Sequence, residues 1–162
     1  MKSHLFLITA ALCLGLSQPM RAHEPSAHRQ RPPAPAEQTA WGIAGDPKAV
    51  HRRVEIDMGD DMRFSPDRLE VRQGETVELV IHNRGRAQHE LVLGTREALQ
   101  AHAALMARHP GMEHDEPHIA HVAPGETGRL VWTFNRAGQV EFACLVAGHY
   151  EAGMAGRVHV RP

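Results

Sequence analysis

Cysteine is scarce in this chain: two residues in 162, Cys13 and Cys144. Cys13 sits in the apolar run at residues 5–16, which is too short to cross a bilayer as a helix, since that takes about 20 apolar residues. Polar "MKSH" precedes the run and "SQPMRA" follows it, the pattern of a secretory signal peptide, here cut after Ala22. No small-residue lipobox precedes Cys13, so it leaves with the signal. No later stretch is apolar enough for a transmembrane helix, and the expected product is a soluble periplasmic protein without membrane insertion.

Excess charge is also missing. The 18 basic and 19 acidic residues give a net charge of -1; losing Lys2 and Arg21 with the signal leaves 16 against 19, or -3. That balance does not suggest nucleic acid or an anionic membrane surface as partner. The chain also lacks internal repeats, a nucleotide-binding glycine loop and the serine motif of secreted hydrolases.

What remains is a lone cysteine, Cys144, in an oxidising compartment. It has no partner for an internal disulfide, and an accessible free thiol there is open to oxidation. A buried core cysteine is the ordinary alternative.

Residues 23–50 are rich in proline and polar residues without apolar periodicity, and read as a flexible leader. Residues 51–162 then form one domain. "RVEIDM", "DRLEVRQGETVELVIHN", "HELVLG", "GRLVWTF", "GQVEFAC" and "GRVHV" read as short strands bounded by Gly, Pro or Asn. Their number predicts an all-β antiparallel sandwich or barrel. "TREALQAHAALMARHP" breaks the rhythm: Thr95 as N-cap and Pro110 beyond the end predict a helical insertion at about 96–108. Its sandwich-facing stripe at 100° per residue is Ala98, Leu99, His102, Leu105, Met106 and His109.

The stretch "FACLVAGHYEAGM" places Cys144, His149 and Met154 at a Cys-x4-His-x4-Met spacing where a strand runs into a glycine-containing turn. Two imidazoles and a thiolate in a trigonal plane, with a weak axial thioether, make an electron-transfer copper site. The fourth ligand has to come from elsewhere. His89, in the loop-to-strand segment "NRGRAQHELVL", is the best candidate among the twelve histidines that follow the signal.

These residues resemble the cupredoxins, the type 1 copper proteins, over about residues 51–161: "MRFSPDRLEVRQGETVELVIHNRG", "HELVLG", "PGETGRLVWTF" and "FACLVAGHYEAGMAGRVHV". The ligand spacing is similar to that of rusticyanin-like and auracyanin-like members. The helical insertion and "HPGMEH" look more like the periplasmic copper-tolerance cupredoxins of the CopI type. The resemblance implies a Greek-key β-sandwich and one type 1 copper held by His89, Cys144, His149 and Met154. It also implies a redox partner docking near His149, on a patch framed by Leu145, Val146, Ala147 and Met154. In many cupredoxins an Asn after the first ligand His fastens the two ligand loops together, whereas Glu90 stands there in this chain.

Multicopper oxidases and copper nitrite reductases pass electrons through a histidine beside the ligand cysteine. Here the neighbours are Ala143 and Leu145, and the chain is too short for several such domains. The expectation is a binding and electron-transfer protein and not an enzyme, with catalysis left to a partner. His102, Met106, His109, Met112, His114, His118 and His121 form a candidate second copper site, since thioethers and imidazoles suit copper; scattered loop and core residues are the plainer reading. Cleavage after Ala22 would make His23 the first residue, with His28 nearby, as a weak N-terminal copper chelate. Two functions follow: copper tolerance through Cu(I)/Cu(II) chemistry, favoured by the Met/His-rich insertion, and a soluble electron carrier for a respiratory or oxidase partner.

Overall fold

The computed structural model describes residues 36–109 and 116–162. The expected signal peptide at 1–22, the part of the leader that carries His23 and His28, and Met112 and His114 of the insertion lie outside the described residues.

Alternation of apolar and polar residues sets the strands. In β2 (Arg52–Gly59) Ile56 and Met58 are buried and Glu55 and Asp57 exposed, and in β4 (Arg68–Arg72) Leu69 and Val71 are buried between exposed neighbours. In β10 (Ala155–Arg161) Gly156, Val158 and Val160 face inward. The other strands are β1 (Ile43–Ala44), β3 (Arg63–Ser65), β5 (Glu75–Asn83), β6 (His89–Gly94), β7 (Ile119–Val122), β8 (Thr127–Phe134) and β9 (Gly138–Ala143). They build two five-stranded sheets, β1-β8-β5-β2-β3 and β4-β10-β9-β6-β7, whose orders contain the crossovers of a Greek-key sandwich. The core between the sheets holds Ile56, Leu79, Ile81, Leu91, Trp132, Phe134 and Phe142, each at most 1 % exposed. Burying side chains of this size stabilises the fold by about 1.5–3 kcal/mol apiece.

The sandwich is all-β with one helix, as expected, but its sheets are not purely antiparallel. β2 pairs parallel with β5, and β10 parallel with β4. The turn between β4 and β5 passes from one sheet to the other: Gln73 N donates to Arg161 O in the second sheet, and Gly74 N donates to Phe134 O in the first. Gly74 has φ +87°, a left-handed conformation that glycine adopts without steric cost. Consecutive strands thus land in different sheets, each beside a strand of its own direction.

Part of the stretch read as leader belongs to the first sheet. Ile43 and Ala44 pair with Thr133 and Trp132 of β8, and Asp46 caps a short 3-10 turn at Pro47–Ala49.

Helix α1 (Arg96–Arg108) has the predicted bounds, and the Thr95 hydroxyl accepts from Ala98 N as N-cap. Its packed face is rotated from the predicted one. Leu99 is buried, with Ala98, His102, Ala103 and Met106 half-buried, while Leu105 and His109 are exposed. Five alanines dilute the apolar signal over the helix surface, so the stripe at i, i+3, i+4 and i+7 from Leu99 is selected by the sheet it meets. Leu99 packs with Val92, Ala143 and Leu145 on the outer face of the second sheet. An Arg96–Glu141 ion pair at 2.7 Å ties the helix to β9.

Candidate metal centre

Alternation along β9 decides where the cysteine goes. Ala143 and Leu145 lie in the cluster under α1, so Cys144 between them faces the core and is fully buried. The chain then turns through residues 145–153 and comes back. His149 N donates to Val146 O, Met154 N to His149 O, and Cys144 N to Met154 O at 3.1 Å. Gly148 (φ +85°) and Gly153 (φ +93°) take the left-handed positions this turn requires. Arg63 Nη1 donates to Ala152 O at 2.8 Å and pins the turn to β3.

His89 opens β6 at 0 % exposure. Two side chains hold the loop before it, one from the end of β5 and one from the turn after β2. Asn83 Nδ2 donates to Ala87 O and Val122 O, and its Oδ1 accepts from Gly85 N. The Asp60 carboxylate accepts from Arg86 N and Ala87 N at 2.9–3.1 Å, and these bonds hold its pKa below the ordinary aspartate value.

Three donor atoms converge. His89 Nδ1 and His149 Nδ1 are 3.2 Å apart, and Cys144 Sγ lies 3.3 Å from His149 Nδ1 and 3.9 Å from His89 Nδ1. Among the described residues, no other group of three His, Cys, Asp or Glu donors meets this closely. Two facing imidazole nitrogens have room for one proton between them, whereas a cation satisfies both lone pairs and the sulfur at once. Bonds of about 2.0 Å to nitrogen and about 2.3 Å to sulfur, at about 120°, put the nitrogens about 3.5 Å apart and nitrogen and sulfur about 3.7 Å apart. The observed spacings match that triangle, so the residues fit a soft or borderline metal ion.

Burial acts in opposite directions on the thiol and the imidazole. Burial pushes the Cys144 thiol up to about 11, against a weaker downward pull from the Glu90 and Val146 backbone N–H groups. Burial and the neighbouring His89 ring lower the His149 pKa, which favours a neutral imidazole with a free lone pair. His89 Nε2 is buried without a hydrogen bond; its nearest charged neighbour is Asp60 Oδ1 at 3.6 Å, beyond hydrogen-bond range. A proton on Nε2, facing that carboxylate, leaves Nδ1 free to bind. Met154, also fully buried, is joined to both Cys144 and His149 through its backbone.

Glu90 occupies the position where an Asn was the expected fastener, and it makes the fastening contact. Its Oε1 accepts from Leu145 N at 3.0 Å, and its own N–H points to Cys144 Sγ at 3.5 Å. Glu90 is marked in the sequence by its place after His89, though not its contact with Leu145, while the roles of Asp60, Asn83 and Arg63 are not legible there. For these three only the Asn-x-Gly turn at 83–85 is a local signal, and it does not name the partner.

Five members of the candidate second site, His102, Met106, His109, His118 and His121, lie among the described residues. His121 Nδ1 lies 3.0 Å from Glu90 Oε2. His118 sets its ring edge-on to Trp41 and Trp132, with Nε2 3.2 Å from Glu116; burial, with His102 nearby, lowers its pKa. His109 caps the exposed helix end, and His102 and Met106 lie on the packed helix face. On the expected docking patch, Leu145 and Met154 are buried, Val146 is half-buried and Ala147 exposed. His149 is the one half-exposed member of the converging set.

A family model described as copper binding proteins, plastocyanin/azurin family, matches residues 50–161. The copper-resistant cuproprotein CopI of Rubrivivax gelatinosus is 44% identical over 155 residues, covering 96% of this chain and 94% of that protein. The protein of the same name from Pseudomonas aeruginosa is 34% identical, covering 80% of this chain and 87% of its own. Among solved structures, dithionite-reduced auracyanin from the photosynthetic bacterium Roseiflexus castenholzii superposes with a TM-score of 0.59 at 24% identity, covering 70% of this chain and 99% of that one. That likeness speaks for the fold.

Proposed function

The chain belongs to the plastocyanin/azurin family of copper-binding proteins, and from that premise we propose that it is a periplasmic copper-tolerance protein whose copper is held by His89, Cys144, His149 and Met154. The observation that carries this reading is the buried triangle of His89 Nδ1, His149 Nδ1 and Cys144 Sγ, with sides of 3.2 to 3.9 Å. Copper bound there would supply one-electron Cu(I)/Cu(II) chemistry and an intense thiolate-to-copper absorption.

The chain's own residues do the rest. Asn83 and Asp60 brace the loop that presents His89, and Arg63 braces the turn that presents His149. Donors fixed in this way need little movement between oxidation states. Burial of Cys144 and His89 keeps water and oxidants from the thiol. Half-exposed His149, beside Val146 and Ala147, is the side from which a redox partner or incoming copper reaches the centre. Ala143 and Leu145 beside the cysteine offer no imidazole relay to a second metal, which supports a carrier and not an enzyme acting alone.

Copper tolerance is favoured over general electron transport by the two relatives named for copper resistance. The periplasmic reading rests on residues 1–22 and on the same kinship. The test is growth on copper after deletion of the gene. Tolerance that falls and is restored by the wild-type gene but not by Cys144→Ser supports the proposal. Undiminished tolerance would leave the electron-carrier reading in its place.

A further inference from the structure

We infer that Glu90, steadied by His121, is the positioning residue that sets how Cys144 meets the copper. The inference rests on the copper reading above and names a part of the chain that tunes it.

Glu90 is 4 % exposed, and a carboxylate with so little water needs hydrogen-bond donors in place of it. It has one on each oxygen. Oε1 takes the Leu145 N–H at 3.0 Å, the amide that immediately follows the ligand cysteine. Oε2 lies 3.0 Å from Nδ1 of His121, the residue directly opposite Glu90 in the β6–β7 pairing. The backbone N–H of the same glutamate points at Cys144 Sγ from 3.5 Å.

One residue therefore touches the centre twice, at the sulfur and at the next peptide, and it adjoins ligand His89 in the chain. The β6–β9 ladder stops at the Val92–Ala143 pair, short of both ligands. Beyond that pair, the Glu90 side chain replaces the missing rungs between His89 and Cys144. His121 is 41 % exposed, so this brace reaches the surface through an imidazole that is not a ligand. Rotation of the Glu90 carboxylate would release the Leu145 amide, and the Cys144 side chain would turn with it.

The acceptor at Oε1 is the critical feature, so Glu90→Gln retains the function and Glu90→Ala removes it. Two readouts test this. In the metal-free chain, hydrogen exchange at the Leu145 amide is slow in the wild type and Glu90→Gln and fast in Glu90→Ala. In the copper-loaded chain, Glu90→Ala lowers copper affinity about 10- to 100-fold, as loss of an outer-shell partner does, and shifts the thiolate-to-copper bands. His121→Ala shifts them in the same direction by less. Folded Glu90→Ala with wild-type exchange and wild-type bands overturns the inference, as does Glu90→Gln that is as damaged as Glu90→Ala. If Glu90→Ala does not fold, His121→Ala decides: displaced bands support the brace, and unchanged bands overturn it. A wild-type chain that takes up copper without any thiolate band refutes the copper reading itself, and the exchange experiment still reports whether Glu90 holds Leu145.

Discussion

His89 and His149 turn their Nδ1 atoms toward each other across 3.2 Å although 60 residues separate them in the chain. They differ in access: His89 is fully buried at the start of β6, while His149 is half-exposed in a surface turn. Truncation should therefore have unequal consequences. His149→Gly opens a hole at the surface that added imidazole can fill, so the thiolate-to-copper absorption returns with imidazole. His89→Gly opens a hole inside the sandwich, and imidazole should not restore the band. Visible spectra with and without imidazole check this; equal rescue of both would contradict the assigned exposures.

Asp60 holds the His89 loop through the Arg86 and Ala87 amides, and these bonds lower its pKa. A carboxylate with a depressed folded pKa contributes stability above its unfolded value, about 3.9 for aspartate. That contribution is lost as pH falls through the folded value. Wild type should therefore be more stable than Asp60→Asn at neutral pH, with the gap closing as the pH drops below about 4. Urea unfolding of both proteins across that range is the measurement, and a gap that widens toward acid would refute the role.

Gly156 stands opposite Phe142 in the β9–β10 pairing, and a Cβ there would collide with the Phe142 ring and approach Asp67 O. Gly156→Ala should cost about 1–3 kcal/mol through overpacking. The urea midpoint should fall with little change in slope.

The rotated face of α1 can be tested with two leucines. Leu99→Ala, at a buried anchor, should cost about 2–5 kcal/mol. Leu105→Ala, at an exposed site, should stay within about 0.5 kcal/mol. Equal effects would favour the stripe expected from periodicity.

Much of this was legible because it is local. Thr95 and the Pro110 signal bound the helix, and short apolar runs bounded by Gly, Pro or Asn located β6, β8, β9 and β10. The spacing of Cys144, His149 and Met154 is written within eleven consecutive residues. What escaped depends on pairings between distant strands. Asp60 and Asn83 look like ordinary turn and strand residues, and Glu90 only like a departure from the usual Asn, until β2, β5 and β6 bring them to one end of the sandwich. The parallel pairs β2–β5 and β4–β10 follow from a sheet-to-sheet turn at Gln73–Gly74 that in sequence looks like any Gly-containing turn.

The central claim is that the buried triangle binds one copper through the cysteine sulfur, and the most direct measurement is a titration of the purified chain with Cu(II), followed in the visible spectrum for wild type and Cys144→Ser. The account predicts an intense thiolate-to-copper band that saturates at one equivalent in the wild type and is absent from Cys144→Ser. A band of equal intensity in Cys144→Ser, or no such band in the wild type, would contradict it.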